Sequence, residues 1–311
     1  MSGAGDLAQG EWQIALAYRR VTADQWIVGR DVREDKAPFG KTLYLDIRSL
    51  DVTVDYGLSN RSRLSVTVPF SEGSHSRYYA DGIRHKVYAS GLGDINATAA
   101  RWLIDPATLP KGNLEIGIGV KSATGRHDVT DDYFLPNGKT TFTVDQSIQP
   151  GDGGWGAILQ ARAFREIFAN AYAYMTGFYL LSPQNHTSVR QGQSGPYSNV
   201  RVSIPDVYNA RAGIVYALQR PSGVSLSLGW RVDGIPLRDL VGRSDGFRRP
   251  AVVGYLDPGL TIVRGKNSWT ASLPVRQYMN FRPSGVDRQL GTSGGGDLAR
   301  NPLFLSYARR F

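Results

Sequence analysis

Apolar residues recur at every second position through most of this chain, in segments of roughly nine to fourteen residues. A period of two puts one set of side chains on one face of a β-strand and the rest on the other, so the pattern demands strands and excludes a helical fold. Trp12, Ile14, Leu16 and Tyr18 form one face of the first segment, opposite Gln13, Ala15, Ala17 and Arg19. Leu43, Leu45 and Ile47 open the second, which continues as Leu50, Val52, Val54, Tyr56 and Leu58 with its parity switched. That switch predicts a β-bulge near Arg48–Ser49. Leu64, Val66, Val68 and Phe70 mark the third segment, and the fourth, Asp94 to Ile104, slips parity before Trp102. Leu114, Ile116, Ile118 and Val120 make the fifth. The sixth and seventh, Trp155 to Phe164 and Ala171 to Leu180, do not declare which face is apolar. Five more follow, led by Tyr208, Val224, Leu256 (despite Pro258), Trp269 and Leu303.

The connections between these segments select the architecture. Short turns are expected at Ser59–Asn60, Asp105–Asn113, Arg165–Asn170, Arg220–Gly223 and Arg264–Asn267. Long loops are expected at 21–41, 71–92, 124–153, 181–206, 235–250 and 281–300. Short and long alternate strictly, as in an outer-membrane barrel with short periplasmic turns and long extracellular loops. The expected fold is therefore all-β: a transmembrane antiparallel up-and-down barrel of about 12 strands. Residues 1–10 are expected as a flexible N-terminal segment and 11–311 as a single barrel domain. The same alternation fits a soluble β-sandwich or a lipocalin-like barrel. The aromatic residues Trp12, Tyr18, Tyr56, Trp155, Tyr208, Trp230, Trp269 and Tyr307 tip the choice, because they suit girdles at two membrane interfaces.

Composition removes several alternatives. No run of eighteen apolar residues occurs, so no transmembrane helix is expected. The mean hydropathy of −0.29 is no obstacle, since every second residue of a spanning strand faces away from lipid. Cysteine is absent, which excludes thiol catalysis and Cys-based zinc sites. The net charge of +9 is spread along the chain without a basic run, which argues against nucleic acid as a partner. No signal peptide is present in Met1 to Gly10, so export to the outer membrane implies a leader removed beforehand.

The last segment carries Leu303, Leu305, Tyr307 and Phe311 on one face and ends on an aromatic residue, with Arg309 as the exception. This resembles the terminal signal read by the barrel-assembly machinery. A second motif, Ser90-Gly91-Leu92-Gly93-Asp94-Ile95, opens a strand and is followed by the Gly-rich Gly117 to Lys121 and by Thr124-Gly125. This arrangement resembles the outer-membrane family named for the MetA pathway of phenol degradation. The resemblance implies a channel or transporter for small aromatic or poorly polar compounds.

The residues themselves offer little for catalysis. His75, His85, His127 and His186 are all expected in loops, with no metal-binding spacing, and no Gly-x-Ser-x-Gly elbow occurs. Neither an enzyme nor a cofactor is expected. With the apolar stripe outward, Arg19, Arg48, Lys121, Arg211, Arg231 and Arg276 are expected to point inward with Asp46, Asp94 and Asp233. Arg162 lines the pore lower down, alongside Asp51, Asp55 and Glu115. A surplus of positive charge favours small anions in a pore, whereas full pairing would plug the barrel and leave its loops to bind a partner. Arg30, Arg33, Lys36, Arg77, Arg84, Lys86, Arg248 and Arg249 are candidate contacts for outer-leaflet lipid and lipopolysaccharide phosphates. The sequence leaves the oligomeric state open.

Overall fold

Each alternating segment becomes one strand of a closed antiparallel wall. The computed structural model describes residues 7–34, 43–193, 195–218 and 223–311. The strands are β1 (Trp12–Ala23), β2 (Leu43–Ser59), β3 (Ser62–Tyr78), β4 in two pieces (Arg84–Leu92 and Asn96–Trp102), β5 (Gly112–Lys121) and β6 (Gly156–Phe168). They continue as β7 (Ala171–Leu181), β8 (Val207–Ala217), β9 (Val224–Ile235), β10 (Ala251–Arg264), β11 in two pieces (Asn267–Ser272 and Val275–Phe281) and β12 (Leu303–Arg310). Neighbours in sequence pair throughout, and β12 pairs with β1 from Gln13 opposite Arg310 to Arg20 opposite Leu303. Closure joins the two ends of the wall, so the spanning strands have no free edge; the upper piece of β4 pairs on one side alone, where Asp131 accepts the Tyr88 amide at 2.8 Å.

Short turns and long loops alternate as the sequence predicts, except between β3 and β4. Asn170 and Gly265 take the left-handed conformation that a tight turn requires (φ 65° and 56°). The turn at 220–223 lies outside the described residues except for Gly223, and so do residues 35–42 of the first long connection, Lys36 included. One expected loop is not a loop. Residues 71–92 continue β3 to Tyr78 and start β4 at Arg84, forming a hairpin that rises above the rest of the wall. Its inner face is tied down by packing, since a Cβ on Gly73 would sit 2.7 Å from the Ile148 side chain.

The outer surface is apolar on nearly every strand. Ile116, Ile118 and Val120 are exposed on β5, as are Leu226, Leu228 and Trp230 on β9 and Leu305 on β12, with Ile118 at 67 %. Such a belt is unsustainable in water over this extent and fits lipid. Trp12 packs on Tyr56 with ring centroids 4.5 Å apart, and Trp269 on Tyr307 at 5.6 Å, all at the rim of the short turns. No helix among the described residues is long and apolar enough to cross a membrane.

Two predicted irregularities are absent, for one physical reason. β2 keeps an unbroken register with β1 from Tyr56 to Leu45, so there is no bulge at Arg48–Ser49. Leu43, Leu45 and Ile47 share the inward face of Ser49 and Asp55, and the apparent parity switch marks a change in what fills the barrel. At the loop end Leu43, Leu45, Val87 and Ala89 bury against Val144 and Ile148 of the connection between β5 and β6. Parity also holds along the lower piece of β4, where Thr98, Ala100 and Trp102 are all buried inward.

The true interruptions lie beside prolines, which cannot donate to a ladder. β4 breaks at Gly93–Ile95 next to Pro69, whose carbonyl accepts from the Gly93 amide at 2.8 Å. A Cβ on Gly93 would lie 2.9 Å from the Pro69 ring, so only glycine fits. β11 breaks at Leu273–Pro274, facing the Pro258 region of β10. The N-terminal segment, expected as separate from the barrel, is tied to it over its described residues. Leu7 is buried, and the Gly10 amide donates to the Gly57 carbonyl at 2.8 Å.

Candidate channel lumen

Inward positions of one half of the wall carry a cluster that joins five strands. Glu115 on β5 accepts from Arg63 Nε of β3 at 3.0 Å, and Arg162 Nε of β6 lies 3.1 Å from its other oxygen. Arg63 also reaches Asp55 of β2 at 3.2 Å, and Gln13 of β1 donates to the same carboxylate. The two acids are nearly inaccessible, with side chains 6 % and 4 % exposed. Two guanidiniums meet two carboxylates, so this cluster is neutral. It is lined by aromatic rings: Arg162 lies 4.7 Å over Trp102, which meets Phe164 edge-on, and Phe164 in turn meets Tyr172.

The opposite half repeats the chemistry with other residues. Arg211 Nε of β8 lies 2.6 Å from Asp257 of β10, a fully buried carboxylate that also accepts from Ser272. Its guanidinium stacks 5.5 Å from the ring of Tyr174. On β9, Arg231 pairs with Asp233 at 2.8 Å and lies 4.4 Å over Phe304 of β12. Arg19 faces the lumen too, and its Nε donates to Ser49 Oγ at 3.1 Å.

Towards the loop end, charge anchors the folded-in connections. Lys121 donates to Asp94 at 3.0 Å, to Asp152 at 2.6 Å and to the Gly154 carbonyl at 2.6 Å. Asp94 in turn accepts the amides of Gly125 and Asp152. The Gly-Leu-Gly-Asp motif thus fastens the 124–153 connection to the bend in β4. Arg276 holds the 281–300 connection through Asp297 at 2.9 Å and the Leu298 carbonyl, and also reaches Gln25 of the first long connection.

Several expectations about side-chain placement are corrected by this arrangement. Asp46 and Arg48 do not face the lumen: they lie on the even, outward parity of β2, where Asp46 pairs with Arg20 at 3.0 Å and Arg48 with Glu72 at 3.2 Å. The expected surplus of inward positive charge is largely cancelled, because Lys121, Arg162, Arg211, Arg231 and Arg276 each hold a carboxylate, while Arg19 has the Ser49 hydroxyl as its partner. Arg248, expected as a surface contact, is buried against Asp239 with both side chains 1 % exposed. His75 and His85 sit on the β3–β4 hairpin instead of in a loop, and His186 lies on a strand of the hairpin His186–Arg190 with Arg201–Ser203. Among the described residues no cluster of metal-ligating side chains forms. Arg63 and Asp257 were missed, although parity with Leu64 and Leu256 places both inward. The inward aromatics were missed as well: Phe164, Tyr172 and Tyr174 lie in the two strands whose apolar face the sequence left undecided, and Trp102 and Phe304 in others.

A closed wall with an apolar outside and a polar, aromatic inside defines a transmembrane β-barrel of the outer-membrane kind. No family model matches the sequence, and no curated protein does. Solved structures match the fold: an outer membrane channel from Pseudomonas putida F1 superposes with a TM-score of 0.63 at 16 % identity, covering 100 % of this chain and 99 % of that one. The translocator domain of the autotransporter NalP from Neisseria meningitidis matches with a TM-score of 0.53 at 13 % identity, covering 99 % and 91 %.

Proposed function

We propose that this barrel is a passive channel of the bacterial outer membrane for small aromatic and other poorly polar solutes. The observation that carries this reading is the lining itself. Trp102, Phe164, Tyr172, Tyr174, Phe178 and Phe304 alternate with ion pairs whose charges cancel. Phe178, inward on β7 opposite Gln160 and Asn209, remains 41 % exposed and so presents a free ring to the passage. Aromatic faces offer contact to apolar solutes, while paired charges present no unbalanced field to retain or reject ions. The channel-type fold of the Pseudomonas putida protein supports the same class of function.

Uptake tests it directly. Cells with few other channels should accumulate labelled phenol from dilute solution faster when they express this protein, and Phe178→Ser should slow them. Equal uptake with and without a correctly folded barrel sinks the proposal. A second reading, a closed barrel acting through its loops, is favoured by the apolar cluster that the 124–153 connection builds at the mouth. It predicts neither uptake nor conductance. In either case the outward row Leu303, Leu305, Tyr307 and Phe311 is proposed as the signal for the barrel-assembly machinery. Arg20 and Arg48, outward above the apolar belt, are proposed to meet lipopolysaccharide phosphates.

A further inference from the structure

The folded-in loops leave a cavity of about 220 Å³ at the mouth of the barrel, walled by the aromatic side chains Tyr133, Phe142, Tyr197 and Phe247 and by Arg77 and Arg249. The walls are held in place. Tyr197 and Phe247 meet edge-on at 5.1 Å, and Tyr133 and Phe142 at 5.8 Å. Tyr197 donates its hydroxyl to Asp287 at 2.6 Å, and Val202 and Phe247, both buried, line the cavity as well.

The two guanidiniums set the chemistry. Arg249 is fixed by the Gly295 carbonyl and lies 5.0 Å over both Trp26 and Phe247. Arg77 lies 4.8 Å over Tyr79. Among the described residues neither has a carboxylate within ion-pairing distance, unlike Arg162, Arg211 and Arg231 deeper in the lumen. Arg190 adds a third cation to the lining, against Asp145 and Asp152, and Asp152 is already held by Lys121. Burial alone would raise the carboxyl of Asp145, but His75, Arg249 and Arg77 together hold it well below the usual range, so it stays charged; with Asp152 taken by Lys121, three guanidiniums of the lining face this one carboxylate. A cavity of about 150 Å³ lined by apolar groups accommodates benzene, so this one has room for a ring and one small substituent.

We infer that this cavity is a binding site for a small aromatic carboxylate, its ring between the tyrosines and phenylalanines and its carboxylate on Arg77 and Arg249. The site deepens the channel reading and rests on it for its role as a point of entry. Guanidinium pairs recognise carboxylates in a planar, two-pronged geometry, and aromatic walls hold the ring edge-on or stacked.

Titration calorimetry on the detergent-folded barrel tests this with four probes: benzoate, benzamide, cyclohexanecarboxylate and acetate. Benzoate should bind at least about tenfold more tightly than benzamide, which lacks the charge, and than cyclohexanecarboxylate, which lacks the π-face. Acetate should not bind measurably. Arg249→Gln and Arg77→Gln should each weaken benzoate about tenfold or more while moving benzamide little. Equal binding of benzoate and benzamide, or full binding by either variant, overturns the assignment. Should a variant not fold, judged by heat-modifiable mobility, the wild-type series still decides. Phenol uptake by cells expressing the same protein separates the two readings. A barrel that speeds uptake but ignores benzoate overturns the site and leaves the channel, whereas a folded barrel that binds benzoate without speeding uptake overturns the channel and leaves the site.

Discussion

Replacing Glu115 by Gln removes one of the two negative charges that hold Arg63 and Arg162 in the lumen. Each contact, at 3.0 and 3.1 Å, is worth about 5 kcal/mol as a bare Coulomb interaction at an effective dielectric of ~20. Much of this is offset. The guanidiniums repel one another less when rehydrated, and both are partly accessible, at 23 % and 18 %. Glutamine still accepts one hydrogen bond. The expected net loss is therefore about 3 kcal/mol, the lower part of the range for breaking a buried pair by deleting one partner. Asp55 alone then faces two arginines, so the lumen also gains one positive charge. Two assays read these effects: urea unfolding of the detergent-folded barrel, and the reversal potential across a planar bilayer under a salt gradient. Glu115→Gln should unfold at lower urea and shift selectivity towards anions. Adding Arg162→Gln should restore neutrality and return the reversal potential towards that of the wild type. A single variant that matches the wild type within about 0.5 kcal/mol and shows no change in selectivity would refute the view that this network braces and neutralises the passage.

Further outcomes follow from other residues. Charge reversal of Arg231 should move the reversal potential, whereas Arg48→Glu should not, because Arg48 stands on the outer wall; equal effects of the two would contradict the assigned parity. Lys121→Met should remove one tie between the wall and the 124–153 connection, its bond to Asp152, seen as faster proteolysis within 124–153 and a larger conductance; unchanged protection would show that the Asp94 bonds to Gly125 and Asp152 and the apolar packing of Ile148 hold this segment without it. Removing Phe311, whose amide donates to the Trp12 carbonyl at 2.9 Å, should lower the yield of heat-modifiable barrel in the outer membrane; a normal yield would count against the terminal signal.

The sequence shows the barrel clearly because lipid imposes one simple rule on half of its residues. Ile116, Ile118 and Val120 could be placed outward without knowing any neighbour. The interior obeys no such rule. Assuming that polar means inward misplaced Asp46 and Arg48, since outward residues above the apolar belt stand among headgroups and water. Assuming that apolar means outward turned Leu43, Leu45 and Ile47 into a bulge, when they form a small core beneath a folded loop. The ion pairs were out of reach for another reason. Glu115 meets Arg63 across 52 positions of sequence and Arg162 across 47, and nothing local to either residue records that distance. Phe164 was hidden in a strand with large residues on both faces, and Trp102 stands at the end of a strand of mostly small residues whose parity the sequence misread.

The hairpin of β2, β3 and the upper piece of β4 has a consequence beyond the passage. β2 and β3 each run for 17 residues and β5 for 10. At about 3.3 Å per residue and a tilt near 45°, the long strands rise ~40 Å and the short one ~23 Å, against a hydrocarbon core of about 30 Å. The surplus stands on one side only, and its outer surface bears Arg20, Arg48 and Glu72 in place of aliphatic residues. The molecule thus has a front and a back when viewed down the membrane normal. Its neighbours in the plane, lipid or protein, meet a charged parapet from one direction and a low apolar shoulder from the other, so its azimuth in the membrane is not arbitrary.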